Sequence, residues 1–233
     1  MESTDLNQVK RIAKYLLRVR VHTTPYSPII VQHPFTSTGV TLIPDTNEMI
    51  DITASDANLT KWQDYMDKRI DEANNVYVIY AMVNKPYALT FIKYVKSALA
   101  DKEMAEILAD AWVNSECPNM DVDVSKAELV EMFTKADKQY LMSERERKLL
   151  AQLGETVTVY RGVTSYNAKN VRALSWTIDK DRAKWFAHRF QENGIVYTAQ
   201  IRKAQILAVF ASRGESEIVL NPKGLIQLKK VEG

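Results

Sequence analysis

Apolar and polar residues follow different periods in the early and late parts of the chain. Apolar residues recur three and four positions apart over residues 6–20 and again from residue 56 to about 153, which is the spacing of helices that bury one face. After residue 154 the pattern alternates, and β-branched residues gather in short runs between turn residues. The chain is therefore predicted to be an α+β protein with a helical first part and a strand-rich last part.

The boundaries of the predicted elements follow from capping residues, prolines and glycines. Ser125 with Glu128 and Ser143 with Glu146 predict two capping boxes. Helices are predicted over residues 6–20, 56–70, 76–83, 87–99, 102–113, 125–141, 143–153 and 179–192. Strands are predicted over residues 29–31, 40–43, 49–53, 156–160, 171–177, 196–201, 206–211, 217–220 and 226–231.

The first 55 residues combine a basic helix with a small β-rich element. Three prolines between residues 25 and 34 exclude helix there, and the element is too small to have a core of its own. We therefore predict an N-terminal extension, residues 1–55, joined to one domain, residues 56–233. Within that domain, residues 56–153 form a helical lobe and residues 154–233 a β-rich core.

Composition supports a boundary near residue 154. The chain has 233 residues, of which 46% are hydrophobic and 26% charged, as in folded rather than disordered proteins. It has seven glycines: Gly39 comes first, and the other six lie from Gly154 onwards. Because glycine marks tight turns and sites where a ligand approaches the backbone, the late segment is the better place for a binding site.

Charge and cysteine content narrow the functional classes. Residues 155–233 contain 13 Lys and Arg against 7 Asp and Glu, whereas the preceding 154 residues carry a net charge of −4. The basic last third favours an anionic ligand, either a dinucleotide or a polynucleotide. Cys117 is the only cysteine, and neither a signal peptide nor an apolar stretch of membrane-spanning length is present. We expect a cytoplasmic protein that does not associate with a membrane. Because the His and Cys residues do not have the spacing of a metal site, we also expect no metal.

Two motifs in the last third place polar groups at the ends of strands. Arg161 is followed by Gly162, and a guanidinium offers a planar fork of donors that matches a phosphate. In the next strand, Ser175 and Thr177 share one face and Trp176 takes the other. Two hydroxyls on one face can line a polar cleft.

The third motif is a pair of carboxylates, Glu215 and Glu217, which share one face of a strand. Such a pair suits the stabilisation of a cationic, oxocarbenium-like transition state while a nucleophile is oriented. Taken singly, each of the three motifs also fits an ordinary strand end on the surface. Their order along the chain is therefore the informative feature.

In this order the motifs resemble the ADP-ribosyltransferase superfamily, and more narrowly its Arg–Ser–Glu branch, which includes bacterial toxins and phage-encoded transferases. That branch combines an Arg on the first core strand, a Ser-x-Ser/Thr strand, and a Glu or Gln two residues before a catalytic Glu. Here these are Arg161, the Ser175-Trp176-Thr177 string and the Glu215-Ser216-Glu217 string. The resemblance covers roughly residues 156–231 and implies a helical lobe packed on two small, mostly antiparallel sheets with a cleft for NAD.

The resemblance implies which residues bind NAD. Arg161 would hold a phosphate, and the backbone of Gly162 would contact the nicotinamide amide. Trp176 and Thr177 would contribute to the nicotinamide pocket. The family places an aromatic ring over nicotinamide, and Trp185, Phe186 and Phe190 are all candidates for it. Phe186 is taken as the cofactor-binding residue, and Trp185 is expected in the core.

The resemblance also implies the catalytic residues. Glu217 would bind the 2′-hydroxyl of the nicotinamide ribose and stabilise the cation formed as nicotinamide leaves. Ser175 would position Glu217. Glu215 would orient or deprotonate the incoming nucleophile, and members with this Glu-x-Glu pair typically modify arginine side chains.

The expected function is therefore mono-ADP-ribosyl transfer from NAD to a macromolecule, with a protein arginine favoured, in a toxin or an effector of phage–host conflict. Three alternatives stay open: ADP-ribosylation of RNA or DNA, NAD hydrolysis, and a non-catalytic binding module that keeps the fold. For a toxin, residues 1–55 are the expected binding place of an antitoxin or a chaperone.

Overall fold

The chain forms two compact units, Met1–Asp123 and Val124–Gly233. The computed structural model describes residues 2–116, 118, 123–211, 214 and 216–231. Each unit combines helices with antiparallel strands, so the predicted α+β class is confirmed. The division falls within the predicted helical lobe, residues 56–153, so the last helices of that lobe belong with the later strands. Among the described residues, no helix has both the length and the apolar character needed to cross a bilayer.

The first unit surrounds its core with helices and carries two small sheets. Its helices are α1 (Leu6–Leu17), α2 (Asp56–Glu72), α3 (Val76–Tyr80), α4 (Ala88–Val95) and α5 (Asp101–Asn114). Its strands are β1 (His22–Thr24), β2 (Ser27–His33), β3 (Thr36–Thr38), β4 (Val40–Ile43) and β5 (Glu48–Asp51). Within the described chain, β1, β2 and β3 form one antiparallel sheet, and β4 pairs with β5 as a separate hairpin.

Helix α1 belongs to the core of the first unit. It begins after Asp5, whose carboxylate accepts the N–H of Gln8, and it ends three residues before the predicted limit of residue 20. Its apolar stripe, which includes Val9, Ala13 and Leu17, is fully buried. The helix packs against α2 and α4, so residues 1–55 are not a separable appendage.

The helices of the second unit confirm both predicted capping boxes and break one predicted helix. Ser125 caps α6 (Lys126–Lys135) and Ser143 caps α8 (Glu144–Gln152). The prediction of one helix over residues 125–141 was wrong, because the side chain of Asp137 accepts the N–H of Gln139 at 2.8 Å and starts a new helix, α7 (Lys138–Leu141). Both α6 and α8 pack against the strand β9 (Ile206–Phe210).

The strands of the second unit form one antiparallel sheet. They are β6 (Thr156–Val163), β7 (Ser175–Thr177), β8 (Ile195–Arg202), β9 (Ile206–Phe210), β10 (Glu217–Leu220) and β11 (Ile226–Lys230). In the described chain they follow the order β11-β8-β6-β7-β10-β9. The two sheets expected from the resemblance are thus halves of one sheet, joined where Tyr160 on β6 pairs with Thr177 on β7. We call this junction the seam.

Two elements of the second unit are shorter than predicted. Strand β7 covers only the end of the predicted 171–177 strand, because Val171, which follows a 3₁₀ turn ending at Asn170, has helical rather than extended backbone angles. Helix α9 (Lys180–His188) stops before residue 192, and Phe190 takes a left-handed conformation with a φ of 62°. That conformation is rare for an aromatic residue and interrupts the helix.

His33 lies at the end of β2 as a fully buried polar side chain in the first unit. Its Nδ1 accepts the N–H of Phe35 at 3.1 Å, and its ring meets the Trp62 ring edge-on at 5.1 Å between centroids. Burial lowers the pKa of His33 to about 4, and main-chain groups of Leu17 and Val19 oppose this shift. The imidazole is therefore neutral in the folded protein at physiological pH.

This burial predicts an acid-sensitive first unit. Between about pH 6.5 and pH 4 the unfolded chain protonates His33 and the folded chain does not, so the unfolded state binds more protons. The free energy of unfolding should be highest above pH 6.5 and fall toward pH 4, by about 3 kcal/mol for this group. Denaturant titrations at several pH values measure how steeply the free energy of unfolding changes with pH. The His33→Gln variant should reduce that dependence. The exposed His22 supplies the control: a His22→Gln variant that flattens the slope equally would contradict the assignment.

Candidate active site

The seam brings together residues that are far apart in the sequence. Thr177 on β7 lies opposite Tyr160 on β6 and opposite Glu217 on β10. Arg161 follows Tyr160 directly, and Ser175 precedes Thr177 by two residues. Adjacent strands lie about 4.8 Å apart, so Arg161, Ser175, Thr177 and Glu217 occupy one small region of the sheet.

The guanidinium of Arg161 is enclosed at the seam. Its Nη1 donates to the main-chain oxygen of Ser175 at 2.6 Å, whereas its Nε is buried and makes no hydrogen bond to the described residues. Burial lowers the pKa of Arg161 to about 10, and the negative charge of Glu217 acts in the opposite direction. The side chain is therefore a cation at neutral pH whose Nε is not satisfied by the described residues, which favours an anionic or acceptor group nearby.

Glu217 is the first residue of β10 and is half-buried. It lies between Thr177 on β7 and Phe210 on β9. The negative charge of Glu217 acts to raise the pKa of Arg161. A carboxylate and a guanidinium from separate strands thus face the same part of the sheet.

The turn before Glu217 is anchored by α9. Gly214 and Ser216 both have positive φ angles, 66° and 44°. The Nη2 of Arg182 donates to the main-chain oxygen of Gly214 at 2.9 Å. Arg182 thus ties the helix to the turn that leads into β10. Glu215, the other predicted carboxylate, lies outside the described residues.

The three residues of β7 divide between the site and the core. The hydroxyl of Thr177 accepts the N–H of Asp179 at 3.0 Å, and the register places Thr177, not Ser175, opposite Glu217. Ser175 lies opposite Val219. Trp176 is 2% exposed and donates its indole N–H to the oxygen of Ala173 at 2.9 Å, so the structure gives it a packing role in the core.

Gly162 permits close contact between β6 and α9. A Cβ at this position would lie 2.5 Å from the nitrogen of Ala187 and closer still to the main-chain oxygen of Ala183. No side chain fits there unless the strand and the helix move apart. The structure therefore explains this glycine by strand–helix packing, before any contact with nicotinamide is considered.

Aromatic and arginine side chains cover the outer side of α9. The helix turns Ala183 and Ala187 toward the sheet, which leaves Trp185 55% exposed rather than in the core as expected. The rings of Trp185 and Phe186 meet edge-on at 5.0 Å, and Arg189 lies 5.5 Å from the centre of the Phe186 ring. Phe186 is half-buried, so part of its surface is open to a ligand.

Lys126 is a nearby cation that the sequence did not indicate. Its Nζ donates to the main-chain oxygen of Arg172 at 2.8 Å. Burial and the charge of Arg161 both lower the pKa of Lys126. Lys126 begins α6, 35 positions before Arg161, and no local pattern connects the two residues.

No three His, Cys, Asp or Glu side chains of the described residues are grouped so as to hold a metal ion. Cys117 lies outside those residues.

No family model matches the chain, and no curated protein or solved structure matches it either. The resemblance to ADP-ribosyltransferases consequently rests on the motif residues themselves. What the structure adds is their proximity: Arg161, Ser175, Thr177 and Glu217 lie on neighbouring strands.

The packing at Gly162 can be tested by stability. We expect Gly162→Ala to lower the free energy of unfolding by about 1–3 kcal/mol, because the added methyl group overpacks the contact between β6 and α9. Gly154→Ala is the matched control, since its Cβ would have the oxygen of Thr156, at 3.8 Å, as its nearest neighbour. Urea denaturation of both variants decides the matter. Equal stabilities would show that Gly162 is not required for this packing.

Proposed function

We propose that the second unit is an ADP-ribosyltransferase-like domain that transfers ADP-ribose from NAD to a macromolecule, with a protein arginine as the favoured acceptor. The observation that carries the proposal is that Arg161 on β6 and Glu217 on β10 flank the hydroxyl-bearing strand β7, with the charge of Glu217 acting on the pKa of Arg161. A cation for phosphate and a carboxylate for a developing positive charge are the two groups that this reaction most needs.

The residues present fit NAD as a substrate. The guanidinium of Arg161 would hold a phosphate, since it carries donors that the protein leaves unsatisfied. The half-buried ring of Phe186 offers an aromatic surface for a planar heterocycle. The buried hydroxyl of Thr177, opposite Glu217, would support the pocket at the carboxylate end.

The proposed reaction is a displacement at the nicotinamide ribose. The C–N bond to nicotinamide breaks, its electron pair leaves with nicotinamide, and positive charge develops on the ribose. Glu217 would stabilise that charge through a hydrogen bond to the 2′-hydroxyl. A nitrogen of the acceptor arginine forms the new C–N bond and loses its proton to Glu215. The side chains of Arg161, Ser175 and Thr177 bind and position.

Nucleic acid is the main alternative acceptor, because residues 155–233 carry six more basic than acidic side chains. Water as the acceptor would make the protein an NAD hydrolase. A non-catalytic binding module is the third alternative, and the presence of Arg161, Ser175 and Glu217 together argues against it.

A partner surface on residues 1–55 is consistent with a toxin or an effector of phage–host conflict. Tyr26, in the turn between β1 and β2, is 90% exposed, and Ile29 on β2 and Met49 on β5 are 54% and 63% exposed. An antitoxin or chaperone would bind there. Deletion of residues 1–55 would remove core residues of α1, so the test is Tyr26→Ser with Ile29→Ser, which should abolish co-purification of the partner. Unchanged co-purification would reject this surface.

Labelled NAD and a cell lysate test the proposed activity. Label in protein supports the proposal, label in nucleic acid supports the alternative acceptor, and free ADP-ribose alone supports hydrolysis. Absence of turnover together with absence of NAD binding in calorimetry would favour the binding module.

Glu217→Gln should lower both transfer and NAD hydrolysis by about 10²-fold or more, because the amide cannot supply the negative charge that stabilises the ribose cation. Turnover numbers for both reactions provide the measurement. Glu144→Gln is the matched control: Glu144 is an exposed residue of α8 paired with Lys148 at 2.6 Å and should leave both rates unchanged. Full activity in Glu217→Gln would refute the assigned role.

Glu215→Gln should separate the two reactions. If Glu215 accepts the proton of the acceptor arginine, the Gln substitution should slow transfer to arginine more than NAD hydrolysis. The reason is that attack by water depends less on proton removal by this carboxylate. The ratio of transfer to hydrolysis is the quantity to measure. An equal loss of both rates would show that the two carboxylates do not have separate roles.

A further inference from the structure

A concavity of about 530 Å³ lies on the sheet of the second unit, at β6, β8, β11 and the start of α9. Three lysines line it: Lys180 on α9, and Lys229 and Lys230 on β11. Its floor includes the hydroxyls of Thr158 and Thr198. None of the described residues that line it is an Asp or a Glu, so the concavity is positively charged.

The three lysines have no ionic partner in the described part of the chain. All three are exposed. The acids next to Lys180 are engaged elsewhere, because Asp181 pairs with Lys184 at 3.1 Å and Asp179 caps α9. Three unpaired ammonium groups around one concavity repel one another, and a bound anion would relieve that repulsion.

The register connects this concavity with the candidate active site. Lys229 lies opposite Thr198, and Thr198 lies opposite Tyr160, which is the residue of β6 at the seam. Glu217 continues the same cross-strand row beyond Thr177. Four strand spacings separate Lys229 from Glu217, which places them about 19 Å apart along the row. Lys229 is therefore too far from Glu217 to belong to the same small group of side chains.

Phosphate is the anion that suits this arrangement best. A chain of phosphates presents several charged oxygens at once and can engage three separate ammonium groups, whereas a single carboxylate cannot. The volume of the concavity also lies in the range of sites for nucleotide-sized ligands. The threonine hydroxyls of the floor can donate to further oxygens of the same ligand.

We propose that Lys180, Lys229 and Lys230 form a second anion site, separate from the proposed NAD site, which binds the phosphate groups of a nucleotide. The site does not depend on the proposed transferase activity, since it is defined by binding alone. The phosphates could come from a free nucleotide or from nucleic acid, and both sources are tested below.

Calorimetry with the full chain and two probes, ATP and a 12-nucleotide oligothymidylate, measures binding at this site. The double variant Lys229→Gln/Lys230→Gln should weaken binding of the probe by about tenfold or more, because it removes charged hydrogen bonds to phosphate. The matched control is Lys169→Gln/Lys223→Gln, which removes the same charge from exposed lysines of the second unit outside the concavity and should have little effect.

Two further measurements distinguish the second anion site from the proposed transferase site. Binding of the probe should persist in Glu217→Gln and in saturating NAD. Tighter binding of ATP identifies a free nucleotide as the source of phosphate, and tighter binding of the oligothymidylate identifies nucleic acid. Absence of binding by either probe, an equal loss in the control variant, or displacement of the probe by NAD would overturn the second site.

Discussion

At Gly162 the backbone of β6 comes so close to α9 that no side chain fits between them. Gly194, just before β8, has the same relation to Ala187 of that helix, so two glycines seat α9 against the sheet. Once the helix is seated, Arg182 reaches the oxygen of Gly214 and fixes the turn before Glu217. The position of Glu217, the candidate catalytic carboxylate, thus depends on the contact between β6 and α9 at Gly162.

The same strand also determines the electrostatics of the site. Arg161 directly precedes Gly162 on β6, so the packing of Gly162 against α9 also fixes the backbone from which the Arg161 side chain extends. Its guanidinium binds the main-chain oxygen of Ser175 and interacts with Glu217. A buried cation is costly unless it is paired, and here one carboxylate and one carbonyl offset only part of that cost. An anionic substrate would offset the remainder, which connects the packing of the strand with the binding proposed for NAD.

Periodicity and capping residues predicted most of the fold. Both capping boxes, at Ser125 and Ser143, are present, and each predicted strand of the second unit has a counterpart. The errors arose where a local side chain competed with the pattern, as Asp137 does when it starts α7. Sequence also could not show that Thr177 lies opposite Glu217, because strand register depends on long-range pairing. For the same reason the sequence did not show that Arg182 contacts Gly214 or that Lys126 lies near Arg161, since these partners are distant along the chain.

The distribution of positive charge in the second unit has a structural explanation that the net charge alone did not provide. Burial lowers the pKa of both Arg161 and Lys126, and the charge of Arg161 further lowers the pKa of Lys126, so positive charge is concentrated near the seam. Lys180, Lys229 and Lys230 are exposed around an open concavity. Desolvated cations discriminate between ligands by geometry and hydrogen bonding, whereas exposed cations act mainly through long-range attraction that salt screens. Different elements of the second unit hold the two kinds: Arg161 lies on β6 and Lys126 on α6, whereas Lys180 lies on α9 and Lys229 and Lys230 lie on β11.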